Sequence, residues 1–134
     1  MIDVESKPRW ITAPCFTVDD VVASANYCRD KLGFTYERFW GDPATFCIVQ
    51  RNGVSIMLGQ PAATGVAHPN HKTAPKAEFC DAYIWIDDAD ALHAEFESRQ
   101  VRMVFGVFDQ PYGCREFAVE DCNGYHLYFG QPIA

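Results

Sequence analysis

The chain has 134 residues and a formal net charge of −7, and 49% of its residues are hydrophobic and 22% charged. This composition is typical of a globular domain and excludes a disordered chain. The acidic balance argues against nucleic acid and against an anionic membrane surface as partners, because both bind cationic protein faces. No apolar run approaches the roughly 20 residues that a membrane-spanning helix needs.

The six cysteines are scattered along the chain, without the spacing typical of a zinc site. The N-terminal sequence lacks the apolar core of a signal peptide. Because disulfides persist mainly in oxidising compartments, these two features favour reduced thiols and a cytoplasmic protein.

The first half of the chain predicts one helix and four strands. Asp19 or Asp20 is suited to cap a helix at residues 21–32, and Gly33 is suited to end it. Asn52-Gly53 is a strong signal for a hairpin turn. The predicted strands are residues 10–18, 34–40, 45–51 and 54–58.

The second half repeats this order after a long loop. Residues 60–77 are rich in Gly, Pro, Ala and Thr, which predicts a loop of a length that is usually functional or mobile. Asp87-Asp88 precedes a helix predicted at residues 89–99. The predicted strands are residues 79–86, 101–107, 114–119 and 125–129.

A βαβββ order thus occurs twice, as module one at about residues 10–59 and module two at about residues 79–130. Neither module alone can bury both its helix and its sheet face. We therefore expect the two to pack together as a single α+β domain, residues 1–134.

Three segments carry a resemblance to a known family. They are SANYCRDKLGF at 24–34, AYIWIDDADALHAEF at 82–96 and CREFAVEDCNGYHLYF at 114–129. They resemble the vicinal oxygen chelate superfamily (glyoxalase/bleomycin resistance protein/dioxygenase), and most of all its bleomycin resistance proteins. The resemblance implies two tandem βαβββ modules that form a half-open, cavity-enclosing sheet, and it implies a homodimer.

Enzymes of this superfamily hold a divalent metal in the cavity, with ligands from the first and last strands of each module. The resemblance puts Ala13, Met57, Asp81 and Tyr128 at these four positions. Alanine has no donor atom, and one carboxylate with a phenol and a thioether is a poor site for a catalytic divalent ion. We therefore expect no metal, no other cofactor and no catalytic residue.

Strand alternation predicts which side chains line the cavity, because successive residues of a strand face opposite sides of the sheet. Ile84 and Leu127 are expected to pack away from it. Aromatic rings stack on planar groups and attract cations, and carboxylates pair with amines. The predicted ligand-binding residues are Trp85, Tyr83, Asp81, Glu116, Tyr128, His126 and Met57. The alternative for the aromatic stripe is a packed core or a dimer interface.

The remaining histidines give no metal site by this reasoning. His68 and His71 form an HxxH pattern, but Pro69 between them argues against a helix that would bring them together. We therefore expect two solvated loop histidines.

These observations predict a non-enzymatic protein that sequesters an amphipathic aromatic, cationic small molecule, as the resemblance to bleomycin resistance proteins implies. Its partners are that ligand and a second copy of the chain. One alternative is a metal-dependent glyoxalase- or dioxygenase-like enzyme with displaced ligands, whose candidates are His126, Asp81, Glu116 and Tyr128. The other alternative is a dimeric scaffold or regulator with a vestigial pocket.

Overall fold

A computed structural model of the protein describes residues 10–73 and 79–133. The chain divides into two compact units, Met1–Ala67 and His68–Ala134, and in each unit the described residues form one helix and one four-stranded sheet. The expected α+β class and the two tandem βαβββ modules are confirmed. The boundary lies within the predicted loop 60–77, whose last residues, 74–77, lie outside the described residues.

In the first unit, helix α1 (Val21–Leu32) packs on a sheet with the strand order β1-β4-β3-β2. Strand β1 runs parallel to β4, and β4, β3 and β2 are antiparallel neighbours. The strands are β1 (Cys15–Thr17), β2 (Phe39–Trp40), β3 (Phe46–Arg51) and β4 (Val54–Gly59). The core between helix and sheet includes Phe16, Val18, Ala25, Leu32, Val49 and Leu58.

Both predicted ends of α1 are confirmed. The Asp20 carboxylate accepts a hydrogen bond from the Ala23 N–H at 3.0 Å, and so satisfies one of the free donors of the first turn. Gly33 ends the helix with a φ of 72°, a left-handed conformation that glycine adopts without strain.

Two predicted strands of the first unit are shorter than expected. Of residues 10–18, only Cys15–Thr17 is a strand. Only Phe39–Trp40 of the predicted strand 34–40 is a strand, with one isolated bridge between Thr35 and Gln50. Tyr36 lies between Thr35 and Phe39 in the sequence, and its hydroxyl donates to Asn26 of α1 at 2.7 Å. This bond draws the segment towards the helix and away from the sheet. Along α1, Val21 is buried in the core and Val22 is exposed.

In the second unit, helix α2 (Ala89–Ser98) packs on a sheet with the strand order β5-β8-β7-β6. Strand β5 is parallel to β8, and β8, β7 and β6 are antiparallel neighbours. The strands are β5 (Ala82–Trp85), β6 (Arg102–Gln110), β7 (Cys114–Glu120) and β8 (His126–Pro132). Asp88 caps α2 as expected, accepting from the Ala91 N–H at 3.0 Å.

Strand β6 is longer than predicted, because residues 108–110 continue the strand instead of forming a loop. Register shifts after Met103 and Phe105 keep it paired with β7, so that Phe108 lies opposite Glu116.

The segment before β5 contains a single 3-10 turn (Asn70–Lys72). All six cysteines lie within the described residues and are free thiols. Within those same residues, neither helix has the length and apolar character required to cross a bilayer.

Candidate functional site

One face of the second-unit sheet carries a continuous group of aromatic side chains. Phe117 and Phe129 contact Phe96 of α2, with ring centroids 6.0 and 5.4 Å away, so their neighbours along β7 and β8 point to the opposite face. We call this opposite face the aromatic face. Its aromatic residues are Tyr83, Trp85, Phe105, Phe108 and Tyr128.

The first row of the aromatic face follows the strand register directly across the sheet. Tyr83 lies opposite Tyr128, Tyr128 opposite Ala118, and Ala118 opposite Phe105. Because Ala118 is small, Phe105 reaches Tyr128 across it, with the ring centroids 5.2 Å apart. The Tyr83 and Tyr128 centroids are 6.3 Å apart, so three rings form one row.

A second row on the same face lies two residues from the first along β5, β7 and β8. It consists of Trp85, Gly130, Glu116 and Phe108. The Trp85 ring contacts Tyr83 of the first row at a centroid distance of 4.8 Å, and 61% of Trp85 is exposed. Phe108 contacts Phe105 in the same way, at 5.4 Å. The two rows therefore present large apolar rings to solvent.

Glu116 lies beneath this surface and is completely buried. Its Oε2 atom accepts a hydrogen bond from the Tyr83 hydroxyl at 2.6 Å, and its Oε1 atom accepts one from the Gln110 amide at 3.0 Å. The Tyr112 hydroxyl lies 2.8 Å from both carboxylate oxygens. Two phenols and one amide thus satisfy a carboxylate that water does not reach.

Gly130 makes the Tyr83–Glu116 contact possible. A side chain added at Gly130 would overlap the Tyr83 hydroxyl, which lies directly over the glycine backbone. The Tyr83 phenol therefore occupies the space that a side chain at position 130 would fill, and so reaches Glu116 on β7.

The phenols around Glu116 stay protonated over the physiological range. Burial, and then the hydrogen bond to the Glu116 carboxylate, raise the pKa of Tyr83. The same two causes raise the pKa of Tyr112 to about 12. Both hydroxyls therefore donate to Glu116, and the oxygen of the exposed Tyr112 can still accept hydrogen bonds from other groups.

Asp81, also expected to bind ligand, has both carboxylate oxygens occupied by backbone donors. Oδ1 accepts from the Asn70 N–H and Oδ2 from the His126 N–H, both at 2.8 Å. The carboxylate thus ties the segment before β5 to the first residue of β8. This is a structural role that strand alternation alone does not reveal.

A cluster of His71, Glu120 and His126 forms a third row at the end of the same face. The His126 Nε2 atom lies 3.0 Å and the His71 Nε2 atom 3.9 Å from Glu120 Oε1. The two imidazoles are stacked, with centroids 4.0 Å apart and an interplanar angle of 7°. One potential ligand atom from each of the three residues lies within 4.8 Å of the others, so this group could hold a metal ion.

Glu120 is ionised at neutral pH. Burial raises its pKa, but hydrogen bonds from His126 and Arg102 outweigh burial, and the net pKa is lowered.

The expectation of solvated loop histidines is wrong for His71. This residue is half-buried against His126, and its Nε2 atom lies 2.7 Å from the Gly124 carbonyl oxygen.

The four positions that the family resemblance assigns to a metal do not fit one. Ala13 has no donor, Met57 on β4 offers only a thioether, and both Asp81 oxygens already accept backbone hydrogen bonds. Burial raises the pKa of Tyr128, which keeps it a neutral phenol and a weak ligand. These four positions therefore lack the donor set of a catalytic divalent ion.

Six of the seven predicted ligand-binding residues thus lie on one face of the second-unit sheet, and Met57 lies on β4 of the first unit. Sequence reasoning missed Gln110 and Glu120, and it rejected His71 as a ligand. A correct end for β6 would have placed Gln110 and Tyr112 at the hairpin beside Glu116. The position of His71 depends on how a loop docks, for which the sequence holds no periodic signal.

The chain belongs to the Glyoxalase/Bleomycin resistance protein/Dioxygenase superfamily, whose family model matches residues 10–129. A search of curated proteins gave no match.

Solved structures with the same fold include both binding proteins and enzymes. The bleomycin-binding protein from bleomycin-producing Streptomyces verticillus, complexed with copper(II)-bleomycin, is 27% identical; the match covers 92% of this chain and 97% of that one, with a TM-score of 0.67. A glyoxalase-related enzyme from Clostridium phytofermentans is 15% identical, with coverages of 96% and 99% and a TM-score of 0.73. Lactoylglutathione lyase from Agrobacterium tumefaciens is 19% identical, with coverages of 92% and 94% and a TM-score of 0.66.

Proposed function

We propose that the protein binds and sequesters an amphipathic aromatic, cationic small molecule on the aromatic face, without a chemical step. The observation that carries this proposal is the pair of aromatic rows above a fully buried carboxylate. Neighbouring rings of this kind bind a planar ligand by stacking.

The charge beneath the rings favours a cationic ligand. The buried Glu116 carboxylate adds its negative charge to the negative ring faces above it, and both attract cations. The hydroxyl oxygen of the exposed Tyr112, whose proton points to Glu116, can accept a hydrogen bond from a ligand's N–H group.

The similarity to the bleomycin-binding protein supports this proposal, because that protein is complexed with copper(II)-bleomycin and shares 27% identity over most of both chains. The four family metal positions of this chain lack suitable donors, which also favours binding of a ligand over metal-dependent catalysis. Met57, Asp81 and His126 stay predicted ligand contacts, Asp81 and His126 at the margin of the face. A homodimer with two equivalent sites and a cytoplasmic location also stay predictions.

Trp85→Ala tests the proposal. Trp85 is exposed and contacts Tyr83, so its loss should leave the fold intact and weaken binding of a planar cation more than about tenfold. Calorimetric titrations with bleomycin and with ethidium would measure the affinity. Trp10→Ala, which removes a fully exposed tryptophan of the first unit, is the matched control and should bind like the wild type.

Equal affinities in wild type, Trp85→Ala and Trp10→Ala would remove the aromatic face from the binding site. A neutral polycyclic compound that binds as tightly as ethidium would remove the charge preference. Sedimentation equilibrium of the same samples would show whether the dimer forms and whether it survives the substitution.

A further inference from the structure

We propose that His71, Glu120 and His126 bind a divalent transition-metal ion such as zinc at the end of the second-unit sheet. This site is separate from the four family positions, of which it uses none. The proposal does not depend on the aromatic ligand proposed above and is tested without one.

The donor set suits such an ion. Two imidazole nitrogens and one carboxylate oxygen are common ligands of zinc, nickel, copper and iron, whereas magnesium and calcium prefer oxygen alone. Zinc binds these donors at about 2.0–2.2 Å, so neighbouring ligand atoms lie roughly 3.2–3.5 Å apart. The observed separations from Glu120 Oε1, 3.0 Å to His126 and 3.9 Å to His71, bracket that range.

The three donors come from different parts of the chain, and the backbone that carries each of them is held in place. Glu120 ends β7 and His126 begins β8, and the two residues face each other in the register. His71 comes from the 3-10 turn, which Asn70 fixes through bonds to the Asp81 carboxylate at 2.8 Å and to the Cys80 carbonyl at 2.9 Å. A bound ion would therefore join this turn to the β7–β8 hairpin.

His126 is incompletely satisfied within the protein alone. It is 4% exposed, and its Nδ1 atom is the one buried side-chain nitrogen or oxygen among the described residues that has no hydrogen-bond partner. Because the Glu120 carboxylate can only accept, the Nε2 atom of His126 carries the proton in their hydrogen bond. The ion would bind Nε2, which faces Glu120, so the imidazole proton would move to the Nδ1 atom, which has no partner in the protein.

Binding requires a local change at His71. Two parallel stacked rings cannot both direct an in-plane lone pair at one ion, so one ring must turn. His71 is the ring able to turn, because it is half-buried on a loop, whereas His126 is enclosed in the sheet. The turn exchanges the hydrogen bond of His71 to the Gly124 carbonyl for a bond to the metal.

The two carboxylate oxygens of Glu120 have different partners. Arg102 bonds Oε2 at 2.8 Å and is largely exposed, so solvent screens its positive charge. Oε1, on the other side, faces the imidazoles. Glu120 therefore offers the ion a single oxygen.

Calorimetric titration of zinc chloride into chelator-treated wild-type protein tests the site. We expect saturation at one ion per chain, and no saturable heat with magnesium chloride. His71→Ala and Glu120→Gln should each weaken zinc binding by more than the roughly 10- to 100-fold that loss of an outer hydrogen-bond partner costs. His68→Ala and His93→Ala, which change histidines outside the cluster, are the matched controls and should bind like the wild type.

Cobalt(II) gives a second readout, because its visible absorption reports nitrogen and oxygen ligands directly. We expect the wild type and the two control variants to develop the same absorption band, and His71→Ala to lose it. Far-ultraviolet circular dichroism in chelator would verify that each variant is folded. Zinc binding retained in His71→Ala and in Glu120→Gln, or no saturable zinc binding by the wild type, would overturn the proposal.

Discussion

At the scale of single residues, Glu116 connects the fold to the proposed binding chemistry. A buried carboxylate is destabilising unless it is fully hydrogen-bonded, and here two phenols and an amide supply the donors. The sequence predicted the direction of Glu116, because the β7–β8 register is continuous and simple alternation holds along β7. It did not predict the donors, because these depend on the length of β6 and on the space over Gly130.

Tyr83→Phe tests the importance of this hydrogen bond for stability. The substitution keeps the ring and removes the donor from a buried anion, so the free energy of unfolding should fall by about 1.5–3 kcal/mol. Urea denaturation followed by fluorescence would measure it. Tyr112→Phe is the matched control and should cost less, because Tyr112 is 62% exposed and water can replace its hydroxyl. A larger loss in Tyr112→Phe than in Tyr83→Phe would contradict this account of Glu116.

At the scale of elements, the helices were predicted more accurately than the strands. Capping aspartates and Gly33 are local signals, so α1 has the predicted bounds of residues 21–32. Among the strands, the Asn52-Gly53 turn gave a comparable signal between β3 and β4. Other strands had none: β6 continues through register shifts, and the predicted strand 34–40 is interrupted where Tyr36 bonds to α1. Tertiary contacts of this kind leave no periodic pattern in the sequence.

The β7–β8 hairpin contains a titratable turn residue. Asp121 Oδ1 accepts hydrogen bonds from the Asn123 N–H at 2.9 Å and the Tyr125 N–H at 2.8 Å. Burial outweighs these bonds and raises the pKa of Asp121 from 3.8 to about 6. Between pH 3.8 and about 6, the folded protein therefore holds a proton on Asp121 that the unfolded chain has lost. The stability that this proton contributes is present at low pH and is lost as the pH rises through about 6.

Asp121→Asn should remove this pH dependence and keep both backbone hydrogen bonds, because asparagine retains the accepting oxygen. Relative to the wild type, the variant should gain stability from about pH 4 upwards and level off above pH 6 to 7, by up to about 3 kcal/mol. Urea denaturation of both proteins from pH 4 to 8, in the presence of chelator, would measure the difference. A difference that stays constant with pH would show that Asp121 does not titrate in this window.

At the scale of the whole chain, two features were accessible from the sequence: the repeated βαβββ order and the acidic balance. The repeat is set by the order of local signals and is confirmed in both units. The net charge of −7 bears on how a ligand arrives rather than on the fold. The 3-10 turn that carries His71 was not accessible, because a docked loop is stabilised by distant partners such as Asp81.

The charge predicts a salt dependence for association of a cationic ligand. The association rate constant of ethidium should fall several-fold as the ionic strength rises from about 0.01 M to 0.15 M, because the Debye length falls from about 30 Å to 8 Å. The dissociation rate constant should change little. Stopped-flow fluorescence would measure both, with a neutral planar compound as the control, and an equal salt effect on the two compounds would argue against electrostatic attraction.

The glycine beneath the Tyr83 phenol has a consequence for how relatives of this chain diverge. Any residue larger than glycine at position 130 closes the passage through which the phenol reaches Glu116. Positions 83, 116 and 130 should therefore covary: a lineage that acquires a β-carbon at the third must abandon the phenol at the first or the anion at the second. The residues at these three positions would then indicate whether an uncharacterised homologue has the buried carboxylate.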